Sequence, residues 1–178
     1  MTDKVLLYLE RFGFNIEVRR KESEKLSAYR RSIYFPHLLF DLGLSKHREE
    51  RFLIKIECED QLYNYKSVYT NVKGCGFYFN FPVPSDQIMC AMKISALLTR
   101  SKGRDFYDVM FLMNFTTPDY NFLKKKLCIE NKTELKSSFL QLLSKINLEQ
   151  KVRDFEHLVF EKRNSKKILS FSEFVQQI

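Results

Sequence analysis

Hydrophobic periodicity changes once along this chain, near Pro84, and the change limits the available folds more than any other feature. Upstream, apolar residues mostly alternate with polar ones, the period of a strand with one wet face; downstream they recur at the three- and four-residue spacing of helices. Before the change, residues 3–12 carry Val5, Leu6, Leu9 and Phe12 at helical spacing, and Gly13 follows where a helix C-terminus favours glycine. Phe14, Ile16 and Val18 then alternate with Asn15, Glu17 and Arg19, and residues 29–35 form a β-branched and aromatic run before Pro36. The clearest strands are 52–58, with Phe52, Ile54, Ile56 and Cys58 against Leu53, Lys55 and Glu57, and 77–83, with Phe77, Phe79, Phe81 and Val83 against Tyr78, Asn80 and Pro82. This alternation predicts Phe77, Phe79 and Phe81 in the core rather than as a base-stacking surface. No helix of crossover length separates the middle strands, so antiparallel or mixed pairing is expected.

After the change, Ser85 fits an N-cap with Asp86 in the first turn. Helices are predicted at about 86–99, 104–114, 118–127, 132–145 and 148–160, with a basic turn and a short amphipathic end from 170 to 178. The expected fold is α+β: a partial mixed or antiparallel sheet region over 1–84, then a C-terminal helical bundle over 85–178.

Composition sets the class. At 44% hydrophobic and 15% aromatic over 178 residues, the chain has ample core material, which excludes disordered and fibrous classes. The net charge of +8 favours an anionic partner such as nucleic acid or nucleotide, although the charges are spread rather than blocked. Cys58, Cys75, Cys90 and Cys128 match no zinc spacing and no CxxC pair, and read as reduced thiols. His37, His47 and His157 have no ligand spacing and fit surface or capping roles. There is no apolar run of membrane-spanning length and no signal-like N-terminus, so a cytoplasmic protein without a membrane segment is expected.

The chemistry concentrates in residues 93–108. Lys93 is the only charged side chain between Asp86 and Arg100, on a helix apolar nearly all round. An ammonium there requires an anion or access to water. Lys93 and Arg100 are two turns apart, about 20° from eclipsed on one face. Gly103 then permits a tight turn into the next helix, where Arg104 and Asp108 stand at i, i+4 and Asp105 and Asp108 at i, i+3, clustering one cation with two carboxylates. Two readings fit: cation–carboxylate pairs that fix a helical hairpin, or a phosphate-binding cluster. Lys55 and Glu57 similarly fit either a cross-strand ion pair or a site. Lys124, Lys125 and Lys126, with Lys162, Arg163, Lys166 and Lys167, fit either solvated faces or contacts to RNA phosphates.

The string K-x-x-A-x-x-x-R-x-K-x-R-D-x-x-D, met by Lys93, Ala96, Arg100, Lys102, Arg104, Asp105 and Asp108, resembles the C-terminal signature of the AbiEii/AbiGii-type nucleotidyltransferase toxins. That family is similar in its catalytic half to the polymerase β-like nucleotidyltransferases. Residues 152–160 resemble its C-terminal helix, and residues 52–57 its third strand. The resemblance implies transfer of a nucleotide from an NTP to an acceptor such as a tRNA 3′ end, with Mg²⁺ as cofactor and a cognate antitoxin as partner. It implies catalytic roles for Lys93, Asp105 and Asp108, nucleotide binding by Lys93, Arg100, Arg104 and Lys55, and metal binding by Glu57. The family's Gly-Ser turn and Asp-x-Asp strand have no counterpart here. The expectation is therefore a fragment, or a protein that kept the fold and lost two-metal chemistry, incomplete or inactive as this chain. The competing expectation is a non-catalytic regulatory module that binds nucleic acid or protein through the same fold.

Overall fold

A computed structural model of the chain describes residues 2–20 and 29–178. They divide into two compact units, Met1–Tyr63 and Asn64–Ile178, and the fold is α+β as expected.

In the first unit, α1 (Thr2–Arg11) ends on Gly13, whose φ of +82° lets its N–H donate to the Glu10 carbonyl at 2.9 Å while the Phe14 N–H donates to Leu9 at 3.1 Å. This pair of bonds satisfies carbonyls that the helix end leaves open. β1 (Glu17–Arg20), β2 (Tyr29–Phe35) and, after the short α2 (Leu38–Asp41), β3 (Phe52–Cys58) form an antiparallel sheet in the order β1-β2-β3. The first strand opens at Glu17 rather than Phe14. Phe14 is committed elsewhere: its N–H closes α1 and its ring meets Phe35 edge-on at 5.8 Å. His37 stands at the N-cap position of α2 without a side-chain cap bond; its Nδ1 instead lies 2.7 Å from the Arg48 carbonyl.

The second unit opens with a hairpin of β4 (Val68–Gly74) and β5 (Phe77–Val83). Cys75 and Gly76 join them with φ of 49° and 81°, the two positive dihedrals of a tight turn whose twist matches its strands. β4 was not expected, because Val68-Tyr-Thr-Asn-Val-Lys-Gly alternates weakly; the signal was the Gly74-Cys75-Gly76 turn. Phe77, Phe79 and Phe81, expected in the core, are instead 66%, 48% and 52% exposed. Alternation reports which face of a strand is apolar. It does not report whether another layer covers that face.

Helices follow: α3 (Asp86–Arg100), α4 (Gly103–Met113), α5 (Tyr120–Leu127), α6 (Lys132–Leu143), α7 (Leu148–Glu156) and α8 (Lys162–Ser165), then a 3-10 turn (Lys166–Ser170) and α9 (Phe171–Gln177). Side-chain caps set their starts. The Ser85 hydroxyl accepts from the Ile88 N–H, as expected, and Asp119 accepts from Phe122 at 2.7 Å, which starts α5 two residues later than predicted. α3 is buried or half-buried at every residue from Ile88 to Leu98. Phe171 lies at the centre of the core, with Phe106 and Phe139 edge-on to it at 5.0 and 5.4 Å, among the fully buried Ile94, Leu97, Leu123, Leu135 and Ile168. Among the described residues no helix is long and apolar enough to cross a membrane.

Candidate nucleotide-binding site

The family-signature residues meet on the hairpin of α3 and α4. Its turn is made by Ser101 in the left-handed region, φ 50° and ψ 42°, with its N–H donating back to Leu97 at 3.1 Å. Two charged rungs then cross between the antiparallel helices. Near the turn, Arg100 grips Asp105 in two places, Nε to Oδ2 at 2.9 Å and Nη2 to Oδ1 at 2.6 Å. Asp105 is the third residue of α4 and also accepts from the backbone N–H of Lys102 at 3.1 Å, which places a carboxylate at the positive end of the helix. Farther from the turn, Lys93 Nζ donates to Asp108 Oδ2 at 2.6 Å.

The rungs differ in burial, and so in energy. The Asp105 side chain is fully buried, whereas those of Lys93 and Asp108 are 37% and 31% exposed. Removing Arg100 strands a buried carboxylate and costs about 3 kcal/mol. The half-exposed Lys93 pair is worth about 1 kcal/mol or less. The first rung holds the hairpin; the second leaves an ammonium that water and ligands can reach.

Two sequence expectations for this hairpin are corrected. Gly103 does not make the turn. It is buried where α4 meets α7, and a Cβ there would collide with the Lys151 carbonyl oxygen and come within 2.9 Å of Phe155 Cβ. Glycine is required by the close approach of two helices, not by a special dihedral. Arg104 does not join the Asp105–Asp108 cluster either: Asp108 is taken by Lys93, and Arg104 lines a groove beside α7 with Lys102, Lys151 and Arg153. Sequence reasoning missed Lys151 and Arg153 as site neighbours. The isolated glycine signalled a close contact but could not name the other side.

In the first unit, Glu57 stands opposite Arg30 in the β2–β3 register and forms a 3.2 Å ion pair with it, and Lys55 stands opposite Ser32. For Glu57 this is the cross-strand ion pair that its position on a half-wet strand allowed. Glu57, Asp105 and Asp108 each face a cation, and among the described residues no group of three His, Cys, Asp or Glu side chains converges to hold a metal ion. Asp105 and Asp108, each neutralised by its own cation on the α3–α4 hairpin, do not fit a Mg²⁺ centre by themselves. Among the basic runs, Lys124 pairs with Glu130, Lys162 with Glu156 and Arg163 with Glu161. Cys90 is buried on α3, and desolvation pushes its thiol up to about 12, too high for nucleophilic work at neutral pH. Tyr120 is raised as well, by burial first and by the Cys90 charge second.

No curated protein and no solved structure matches the chain significantly. A family model described as nucleotidyl transferase AbiEii toxin, type IV TA system, matches residues 14–172, which span both units and include every signature residue of the hairpin. The chain belongs to the AbiEii nucleotidyl transferase toxin family.

Proposed function

We propose that this chain binds a nucleoside triphosphate on the α3–α4 hairpin, within a toxin system whose reaction is nucleotidyl transfer to an RNA acceptor such as a tRNA 3′ end, and whose activity is restrained by a cognate antitoxin. The observation that carries this reading is the pair of unequal rungs. Asp105 and Arg100 lock the hairpin, while Lys93 is held by a half-exposed carboxylate that an incoming phosphate can replace. Lys93 then binds the phosphates, Arg100 and Arg104 add positive charge beside it, and Asp108 positions Lys93 while Asp105 positions Arg100. Family membership supports the nucleotide as substrate class and the antitoxin as partner.

Because Asp105 and Asp108 are each neutralised by a cation of the same hairpin, the chain by itself binds nucleotide without transferring it. Lys93→Met tests the binding. It removes the ammonium, keeps much of the apolar stem and leaves Asp108 partly hydrated, so helix content by circular dichroism is retained while NTP affinity, read by a fluorescent analogue, falls at least about tenfold. Unchanged affinity sinks the assignment. For transfer, the purified chain given Mg²⁺, labelled NTPs and bulk tRNA incorporates no label above background. Robust incorporation that disappears in Asp108→Ala overturns the proposal of an inactive chain.

A further inference from the structure

Between the start of α4 and the outer face of α7 lies a groove of about 560 Å³. Lys102 and Arg104 form one wall and Lys151 and Arg153 the other, with His157 at its edge and Asp154 as the one acidic residue lining it. The packing at Gly103 creates this geometry: with no Cβ in the way, α7 comes close enough to α4 for cations from both helices to share one concavity.

The state of these cations sets the groove apart. Lys93, Arg100, Lys124, Lys162 and Arg163 all have carboxylate partners. Among the described residues, Lys102, Arg104, Lys151 and Arg153 form no ion pair. Four unpaired cations gathered in a concave surface repel one another, and a polyanion relieves that repulsion. The lining contains no Phe, Tyr or Trp ring for a base to stack on, and its one large apolar side chain is Leu158. Charge rather than aromatic stacking dominates the chemistry of this groove, and charge reads phosphates.

We infer that this groove binds the phosphodiester backbone of an RNA strand, independently of sequence. That the polyanion is RNA rests on the acceptor named in the proposed function; the recognition of successive phosphates rests on the groove alone. Four phosphate contacts to a single strand give a slope of about −2.8 in log affinity against log salt, or about 50-fold weaker binding at 200 mM than at 50 mM salt.

The test uses the full chain and a fluorescein-labelled single-stranded RNA of mixed sequence, with binding followed by anisotropy between 50 and 200 mM NaCl. The double variant Lys151→Gln/Arg153→Gln is expected to lower RNA affinity at least about tenfold at low salt and to flatten the slope by about 1.4. Its NTP affinity stays unchanged, since neither residue belongs to the Lys93 site. Lys102→Gln, on the opposite wall, flattens the slope by about 0.7. Circular dichroism identifies either variant that loses helix content, and the other then carries the test. RNA affinity and slope that match the unsubstituted chain in both variants overturn the inference, as does an unsubstituted chain that does not bind RNA. Joint loss of NTP and RNA binding in the double variant also overturns it, because the groove is then a nucleotide site. Failure of Lys93→Met to weaken NTP binding leaves the RNA result standing, so the two proposals fail separately.

Discussion

The two units use apolar side chains in opposite ways. In the first, Ile33 and Phe35 are the buried side chains among the described residues, and β3 leaves Phe52, Leu53 and Ile54 each about 40% exposed. In the second, helices enclose a continuous core in which Ile94, Leu97, Phe106, Phe122, Phe139 and Phe171 have no solvent exposure. Both regions are rich in aromatics. A sheet needs a second layer to bury a face, whereas short helices joined by tight turns fold back on one another and supply that layer themselves. Stability is therefore unequal along the chain, with the sheet at the weak end and α3, α4 and the helices around Phe171 at the strong end.

The largest predicted effect attacks the strong end. Phe106→Ala removes a fully buried ring that meets Phe171 at 5.0 Å, and is expected to cost about 3–5 kcal/mol in urea unfolding of the whole chain. Phe52→Ala, at a ring that meets Phe35 at 5.8 Å but is 41% exposed, is expected to cost about 1–2 kcal/mol. Equal losses would show that the sheet is buried as deeply as the bundle and would erase the contrast. Next comes the charged hairpin. Arg100→Met is expected to cost about 3 kcal/mol because Asp105 is left buried and uncompensated, whereas Lys93→Met is expected to cost about 1 kcal/mol or less and, on the proposed function, to lower NTP affinity at least about tenfold. If these two losses are reversed, the division of the rungs into lock and site is wrong.

Cys90 gives a pH handle on the same core. Its folded thiol is raised to about 12 from an ordinary 9.0, so above pH 9 the unfolded chain sheds a proton that the folded chain retains. The stability contribution is complete below pH 9 and declines as pH rises from there through about 12. Cys90→Ala flattens that part of the stability curve, and a curve identical in the two proteins would show that Cys90 is not desolvated. The smallest perturbation is chemical labelling at pH 8. Cys58, Cys75 and Cys128 are exposed and react with a thiol reagent in the native protein, while Cys90 reacts only on unfolding.

Much of this was legible because it depends on local chemistry. The helix start at Ser85, the Gly13 helix end and the burial of α3 follow from caps and periodicity within a few residues. The pairing of Lys93 and Arg100 with Asp108 and Asp105 was open as one of two readings, since the spacing placed both cations on one helix face and both carboxylates on the next helix. β4 was not legible from alternation, and the exposure of Phe77, Phe79 and Phe81 could not be read from an alternating pattern that looks the same under a second layer or under water.

The sequence by itself determined the family signature, the α+β class, the change from sheet to helix near Pro84, and the two cations aligned on one helix face, because each is written in residue order or in a helical or strand repeat. Tertiary structure decided which cations are spent and which are free. Arg104 stands one residue before Asp105 and four before Asp108, yet it lines the groove with Lys151 and Arg153, more than forty residues downstream. That meeting depends on a helix crossing at Gly103 that admits no Cβ. Charge partners are chosen by distance in space, and no local period encodes a crossing between helices so far apart in the chain.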